Sequence, residues 1–235
     1  MVELIRNLQA ARIRENLARL SEEIDAAVES SPVGRDVPGR ERVEILAAVK
    51  YVASEELGSL AEAGIRLLGE NRAQDLVEKA SSHEGLFEWD FIGQLQSRKV
   101  KVIVPHVRLI HSVASRSALR ELERHRELAA PGLELLLEVN VAREEGKAGI
   151  APEEIEGYMA DAPFPVSGLM TMPPFASDPE ESRRWFAALR ELADAHALPR
   201  LSMGTSQDYL VAVEEGATIV RIGTKLYDQG VRRPS

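Results

Sequence analysis

The sequence predicts an α/β protein: a single TIM-type (β/α)8 barrel with an extra helix at its N-terminus. Three observations predict it. Eight short apolar runs of strand length recur between residues 44 and 223. Segments with helical spacing fill the gaps, and strands separated by helices pair in parallel. The runs are almost continuously apolar, the pattern of a sheet covered on both faces, and eight such strands suggest closure into a barrel.

The elements follow in order. Residues 1–30 carry Leu4, Leu8, Ile13, Leu17, Leu20 and Ile24 at helical steps and read as one amphipathic helix. SSPVGRDVPGRERV, from Ser30 to Val43, clusters Pro, Gly and charge and reads as a connection. It is not a domain boundary, because the helix before it is too short to be a domain. The barrel then occupies residues 44–235, within one domain spanning 1–235. Its runs are EILAAVKY (44–51), IRLLGE (65–70), EWDFIG (88–93), RLIHSVA (108–114), LELLLEVN (133–140), PVSGLM (165–170), RLSMG (200–204) and TIVRIG (218–223). Helical spacing appears in SEELGSLAEAG after the first run and RSALRELERHRELA after the fourth. SDPEESRRWFAALRELADAH follows the sixth, with Ser177 or Asp178 as its N-cap.

Composition narrows the function. The 235 residues carry a formal charge of −9, against the basic face that broad nucleic-acid binding needs, while leaving room for a local pocket for one small anion. There are no cysteines, so neither disulfides nor thiolate metal sites can form. No stretch approaches the roughly 20 apolar residues of a membrane span. The N-terminal helix holds Glu3 and Glu15 and lacks a central apolar run, unlike a signal peptide. A cytoplasmic location is expected.

In a barrel of this kind chemistry sits where strands end, on the loops that follow them. Those ends include Lys50, Asn71 and the stretches Gly204 to Ser206 and Gly223-Thr224, small and polar where strand interiors are apolar. Lys50 follows Ile45-Leu46-Ala47-Ala48-Val49. A lysine held among apolar groups loses solvation of its ammonium form, which frees a neutral amine to condense with an aldehyde. By itself it reads as a strand-end lysine that carries its charge into water. LSMGTSQDY (201–209) runs from a strand into a helix, offering amides and the Ser206 hydroxyl, and TIVRIGTKLY (218–227) presents Gly223 and Thr224 after the last strand. Either loop alone reads as a turn with ordinary helix caps; together, after the seventh and eighth strands, they point to an anion site. The five histidines show no metal-ligand spacing. His111 reads as a satisfied core histidine, Trp89 and Phe91 as packing residues, and Glu70 and Asn71 as caps of the next helix.

At these residues the sequence resembles the YggS/PROSC family of pyridoxal phosphate homeostasis proteins. The matching segments are AAVKY with Lys50, LGENR (68–72), WDFIGQLQSRK (89–99), HSVAS (111–115), EVN (138–140), EEGKAG (144–149), GLMTM (168–172), LSMGTSQDY and VRIGT (220–224). The resemblance implies a barrel like the N-terminal domain of alanine racemases, with pyridoxal 5'-phosphate bonded covalently as a Schiff base to Lys50. It further implies that Ser206, Gly223 and Thr224 hold the phosphate and that Arg221 approaches the pyridine nitrogen. Asn71 and Met203 lie on strand-end segments expected to line the pocket. Thr205, Tyr227-Asp228 and Arg98 depart from the family's Met, Phe-Gly and Asn, which leaves the phosphate geometry open. A guanidinium only donates, so Arg221 would keep the ring nitrogen unprotonated and the electron sink weak. Racemases add a second base, a tyrosine from a further domain, and the sequence gives no reason to place Tyr51, Tyr158, Tyr209 or Tyr227 opposite Lys50. The expectation is therefore a monomeric binder or carrier of this cofactor, with cofactor-dependent apoenzymes as partners and no metal, nucleic acid or membrane. An amino-acid racemase and a class I aldolase using Lys50 are the competing readings.

Overall fold

Eight parallel strands close on themselves in chain order. They are β1 (Glu44–Ala48), β2 (Leu67–Glu70), β3 (Glu88–Phe91), β4 (Leu109–Val113), β5 (Glu134–Glu138), β6 (Val166–Met170), β7 (Arg200–Thr205) and β8 (Ile219–Ile222), with β8 paired back onto β1. The computed structural model from which they are taken describes residues 4–33 and 40–229. The outer ends of the expected domain, and the middle of the 30–43 connection, lie outside these residues. Each strand falls in one of the eight apolar runs, β7 extending one residue further.

Helices α2 (Leu57–Glu62), α3 (Ala73–Ser82), α4 (Val100–Ile103), α5 (Arg116–Arg124), α6 (Ile155–Asp161), α7 (Arg183–Ala195) and α8 (Tyr209–Glu214) follow β1 to β7. The place a helix after β8 would occupy is taken by α1 (Ala10–Ser30), which packs against α8 on one side and α2 on the other. Buried Asn16 fastens it there, donating from Nδ2 to the Leu226 and Asp228 carbonyls at 3.1 and 2.8 Å. Asp178 caps the turn that leads into α7, accepting from Glu180 N.

The N-terminal helix is shorter than expected. Residues 4–9 are not helical: Ile5 bridges to Val52, its amide donating to the Tyr51 carbonyl at 2.6 Å, and its carbonyl accepts from Ala53 N at 3.2 Å. Glu56 takes the Asn7 and Leu8 amides. These tertiary partners outweigh the weak helical pattern of Leu4 and Leu8.

Successive side chains alternate across each strand. Leu46, Leu109, Leu136, Met170 and Ile219 fill the barrel interior, each worth roughly 1.5–3 kcal/mol over exposure. Ala47, Val49, Leu135, Leu137, Val220 and Ile222 belong to the larger core between barrel and helices, with Trp89 and Phe91. In β1 the inward positions are Leu46 and Ala48, so the same period delivers Lys50 to the mouth of the barrel. Among the described residues no helix is long and apolar enough to cross a membrane.

Candidate cofactor site

A cavity of about 590 Å³ opens where the strands end, a size suited to a small organic ligand. Lys50, Asn71, Ser206, Arg221, Gly223 and Thr224 line it, six of the seven expected site residues. Met203 does not. Ser202 faces the barrel interior, so its neighbour Met203 points the other way, fully buried in the core beneath the helices. The strand period that correctly places Lys50 and Arg221 excludes it.

Lys50 forms no hydrogen bond or ion pair among the described residues; its amine lies 5.1 Å from the centre of the Tyr51 ring. The chain leading to it is pinned from behind. Val49 N donates to the Gly69 carbonyl, and Val49 O accepts from Lys79 Nζ at 2.7 Å. Lys79 in turn pairs with Glu70 Oε2 at 2.6 Å, and both side chains are buried. The other Glu70 oxygen accepts from Asn71 N and Arg72 N at the start of α3, so the expected capping is done by Glu70. Asn71 plays a different part. Its Oδ1 is buried without a partner among the described residues, and its side chain lines the cavity. Gly93 backs it so closely that a Cβ there would sit 2.0 Å from the Asn71 carbonyl oxygen.

Arg221 rises from the last strand. Its Nη1 donates to Ser202 O at 2.9 Å and Ser202 Oγ at 2.5 Å, and its Nη2 to Thr171 O and Met172 Sδ, both at 2.9 Å. All four acceptors are uncharged. The fifth N–H, on Nε, has no acceptor among the described residues. Burial lowers the guanidinium to about 10, opposed by Asp208 and Glu138, which keeps it charged at neutral pH.

The two loops expected to hold an anion meet. Ser206 Oγ accepts from Gly223 N at 3.1 Å and Lys225 N at 3.5 Å. The Gly223 amide is thus used to join the loops, and Ser206 and Thr224 both line the cavity. Gly204 turns with φ near +90°, and a Cβ there would meet the Ala212 methyl at 2.6 Å, so only glycine lets α8 pack this close. Thr205 is engaged by Asp208, which accepts from its amide and its hydroxyl.

Other lining residues were not among those expected to bind the cofactor. Glu138 ends the inward period Glu134, Leu136, Glu138 of β5, a signal that was present; burial pushes its carboxyl up, against the opposing charges of Arg221 and Lys147. Tyr227 brings a fully buried hydroxyl without a partner, raised by burial and by the charge of Glu70. Tyr51, Gln94, Met172 and Ile5 complete the rim. His111 is a satisfied core histidine, bonded to Ser202 and Asp90. Among the described residues no group of three or more acidic or histidine side chains could hold a metal ion.

An eight-stranded parallel barrel with an unpaired lysine after β1 and an arginine on β8 defines a class of protein, that of the alanine racemase N-terminal domain, whose family model matches residues 39–229. Within that class the chain belongs to the pyridoxal phosphate homeostasis proteins. It is 41% identical over 226 residues to the protein of that name from Aquifex aeolicus, covering 92% of this chain and 97% of the relative. It is 35% identical to that of Pseudomonas aeruginosa, covering 92% and 94%. Among solved structures it is similar to PipY of Synechococcus elongatus, determined without PLP (TM-score 0.75) and with PLP bound (0.73). Identity is 30% in both, covering 92% of this chain and all of PipY. An alanine racemase from Corynebacterium glutamicum shares the fold at 17% identity, with a TM-score of 0.65 over 66% of its length.

Proposed function

We propose that this chain binds pyridoxal 5'-phosphate in the barrel-mouth cavity, covalently on Lys50, and serves its homeostasis as a carrier. The observation that carries the reading is Lys50 itself: an amine at the end of an inward-facing strand period, in a cavity of about 590 Å³, without a carboxylate or other hydrogen-bond partner among the described residues. The orphaned Asn71 Oδ1 and Tyr227 hydroxyl in the same wall fit a polar ligand, since buried polar atoms are normally paired. The PLP bound to PipY supports the choice of ligand.

Bound through its aldehyde, this cofactor supplies an electron-withdrawing ring whose strength depends on protonation of the ring nitrogen. Arg221 has one N–H left to offer, on Nε, and can only donate, so it leaves that nitrogen unprotonated. Ser206 and Thr224 bind the phosphate from the joined loops. Asn71, in the same wall, would face the ring, and Lys50 would supply the amine that captures the aldehyde. Racemisation requires a second base as well as Lys50. Tyr227 is held protonated by burial and by Glu70, which unsuits it to that role. Tyr51 lies against the Lys50 amine itself. Both features favour a carrier over a racemase. In the same reading its recipients are apoenzymes that use the cofactor, and it acts as a monomer in the cytoplasm.

Purified protein mixed with pyridoxal 5'-phosphate should gain a visible imine band that survives dialysis, and Lys50→Ala should not. Incubating the loaded protein with D- and L-amino acids in deuterated water should give no exchange at the α-carbon. Rapid exchange would replace the carrier reading by a racemase.

A further inference from the structure

The barrel interior contains a chain of polar groups of which the proposed function uses only the first. Arg221 Nη1 donates to Ser202 Oγ at 2.5 Å, Ser202 Oγ lies 2.8 Å from His111 Nδ1, and His111 Nε2 lies 3.1 Å from Asp90 Oδ2. Asp90 Oδ1 accepts from Arg108 Nε at 3.0 Å, and Arg108 continues to Glu44 at the opposite end of the barrel. Asp90 and His111 are wholly inaccessible, Ser202 likewise, and none of the three lines the cavity. Leu46, Leu109 and Leu136 fill other inward positions of the barrel, so apolar side chains serve packing there.

The donors and acceptors run in one direction. The Asp90 carboxylate can only accept, so the His111 proton resides on Nε2. Burial keeps the ring uncharged: it outweighs the pull of Asp90, and Arg221 and Arg108 act in the same sense as burial. Nδ1 then offers a lone pair, which takes the Ser202 hydroxyl proton. That turns a lone pair of Ser202 Oγ toward Arg221. Every bond from carboxylate to guanidinium has its proton in the correct place, and a reversed histidine tautomer would leave the Nε2 lone pair facing the Asp90 carboxylate with no proton between them.

We infer that Asp90, His111 and Ser202 are positioning residues: they lock the Arg221 guanidinium in a single orientation so that its one uncommitted N–H is presented to the ring nitrogen of the bound cofactor. This rests on Arg221 being the ring-nitrogen partner, as proposed above. Of the four acceptors on Arg221, Ser202 Oγ is the one whose lone pair is aimed by a further side chain, that of His111.

The test titrates pyridoxal 5'-phosphate into the full chain and into Ser202→Ala, Asp90→Asn, Arg221→Gln and each of the first two combined with Arg221→Gln. Ser202→Ala and Asp90→Asn should each weaken binding roughly 3- to 10-fold, the effect of loosening one hydrogen bond. Combined with Arg221→Gln they should add nothing, because they act through it. A merely structural role would give additive losses, and that result, or no loss in the single variants, overturns the inference. Ser202→Ala removes one oxygen and keeps the test available if Asp90→Asn does not fold. In the unaltered protein, ¹⁵N spectra should place the His111 proton on Nε2 in a neutral ring, and an Nδ1–H or cationic ring overturns the inference as well. If the unaltered protein takes up no cofactor, the cofactor reading fails instead; if Arg221→Gln binds it normally, Arg221 is not the ring-nitrogen partner and the inference falls while cofactor binding stands.

Discussion

Replacing Lys79 by methionine removes the only positive group among the described residues that touches Glu70, and the donor that holds the Val49 carbonyl. Glu70 is inaccessible and Lys79 is 5% exposed, so the carboxylate stays buried beside the Asn71 and Arg72 amides without a counter-charge. Breaking a buried pair by removing one partner costs about 3–5 kcal/mol. Against a total stability of about 5–15 kcal/mol that is a large fraction. For a chain of this length it corresponds to a melting temperature lower by roughly 6–20 °C. Urea titration followed by circular dichroism measures it directly. The double variant Glu70→Gln, Lys79→Met should recover at least half of the loss, since a neutral amide leaves no buried charge. The same substitution frees the peptide that carries Lys50, so cofactor capture by the folded fraction should slow. A loss under 1 kcal/mol, or a double variant as unstable as the sum of its singles, refutes the assignment of this pair as the anchor of the lysine.

Glu138 has its carboxyl raised above the ordinary 4.5, so the folded state favours the neutral form and loses stability as pH rises through the shifted value. Glu138→Gln should therefore melt higher than the parent at pH 8 and show little difference at pH 4; a gap that shrinks as pH rises contradicts the direction. Met203→Leu, a near isosteric change in the outer core, should cost less than about 1.5 kcal/mol and leave the cofactor dissociation constant unchanged. A tenfold weaker constant would return Met203 to the cavity. Asn16→Ala removes both bonds that fasten α1 beside β8 and should cost about 1–3 kcal/mol, with faster amide exchange in residues 209–214 of α8; unchanged exchange there speaks against α1 as the eighth helix of the ring.

The strands were legible because each is a short apolar run bounded by polar residues, and the inward period of β1 and β8 carries Lys50 and Arg221 to the mouth without further information. The same rule applied to β7 would have excluded Met203, whose neighbour Ser202 takes the inward position. Residues 4–9 misled because Leu4 and Leu8 happen to fall on a helical spacing, while their backbone partners lie near residues 51–56, about 45 positions on. The role of α1 as the eighth helix, the Lys79–Glu70 anchor behind Lys50 and the polar chain through Asp90 and His111 all depend on pairings between distant segments. No local pattern encodes such partners. Tyr227 was noticed as a departure from the family, but that its hydroxyl is buried and unpartnered in the cavity wall is a fact of packing.

Peptide mapping by mass spectrometry, after loading with pyridoxal 5'-phosphate and reduction with borohydride, asks directly which amine captures the aldehyde. A single reduced adduct on the peptide containing Lys50 is the predicted result. An adduct on Lys79, Lys147 or Lys225 in its place, or none on the folded protein, would contradict it.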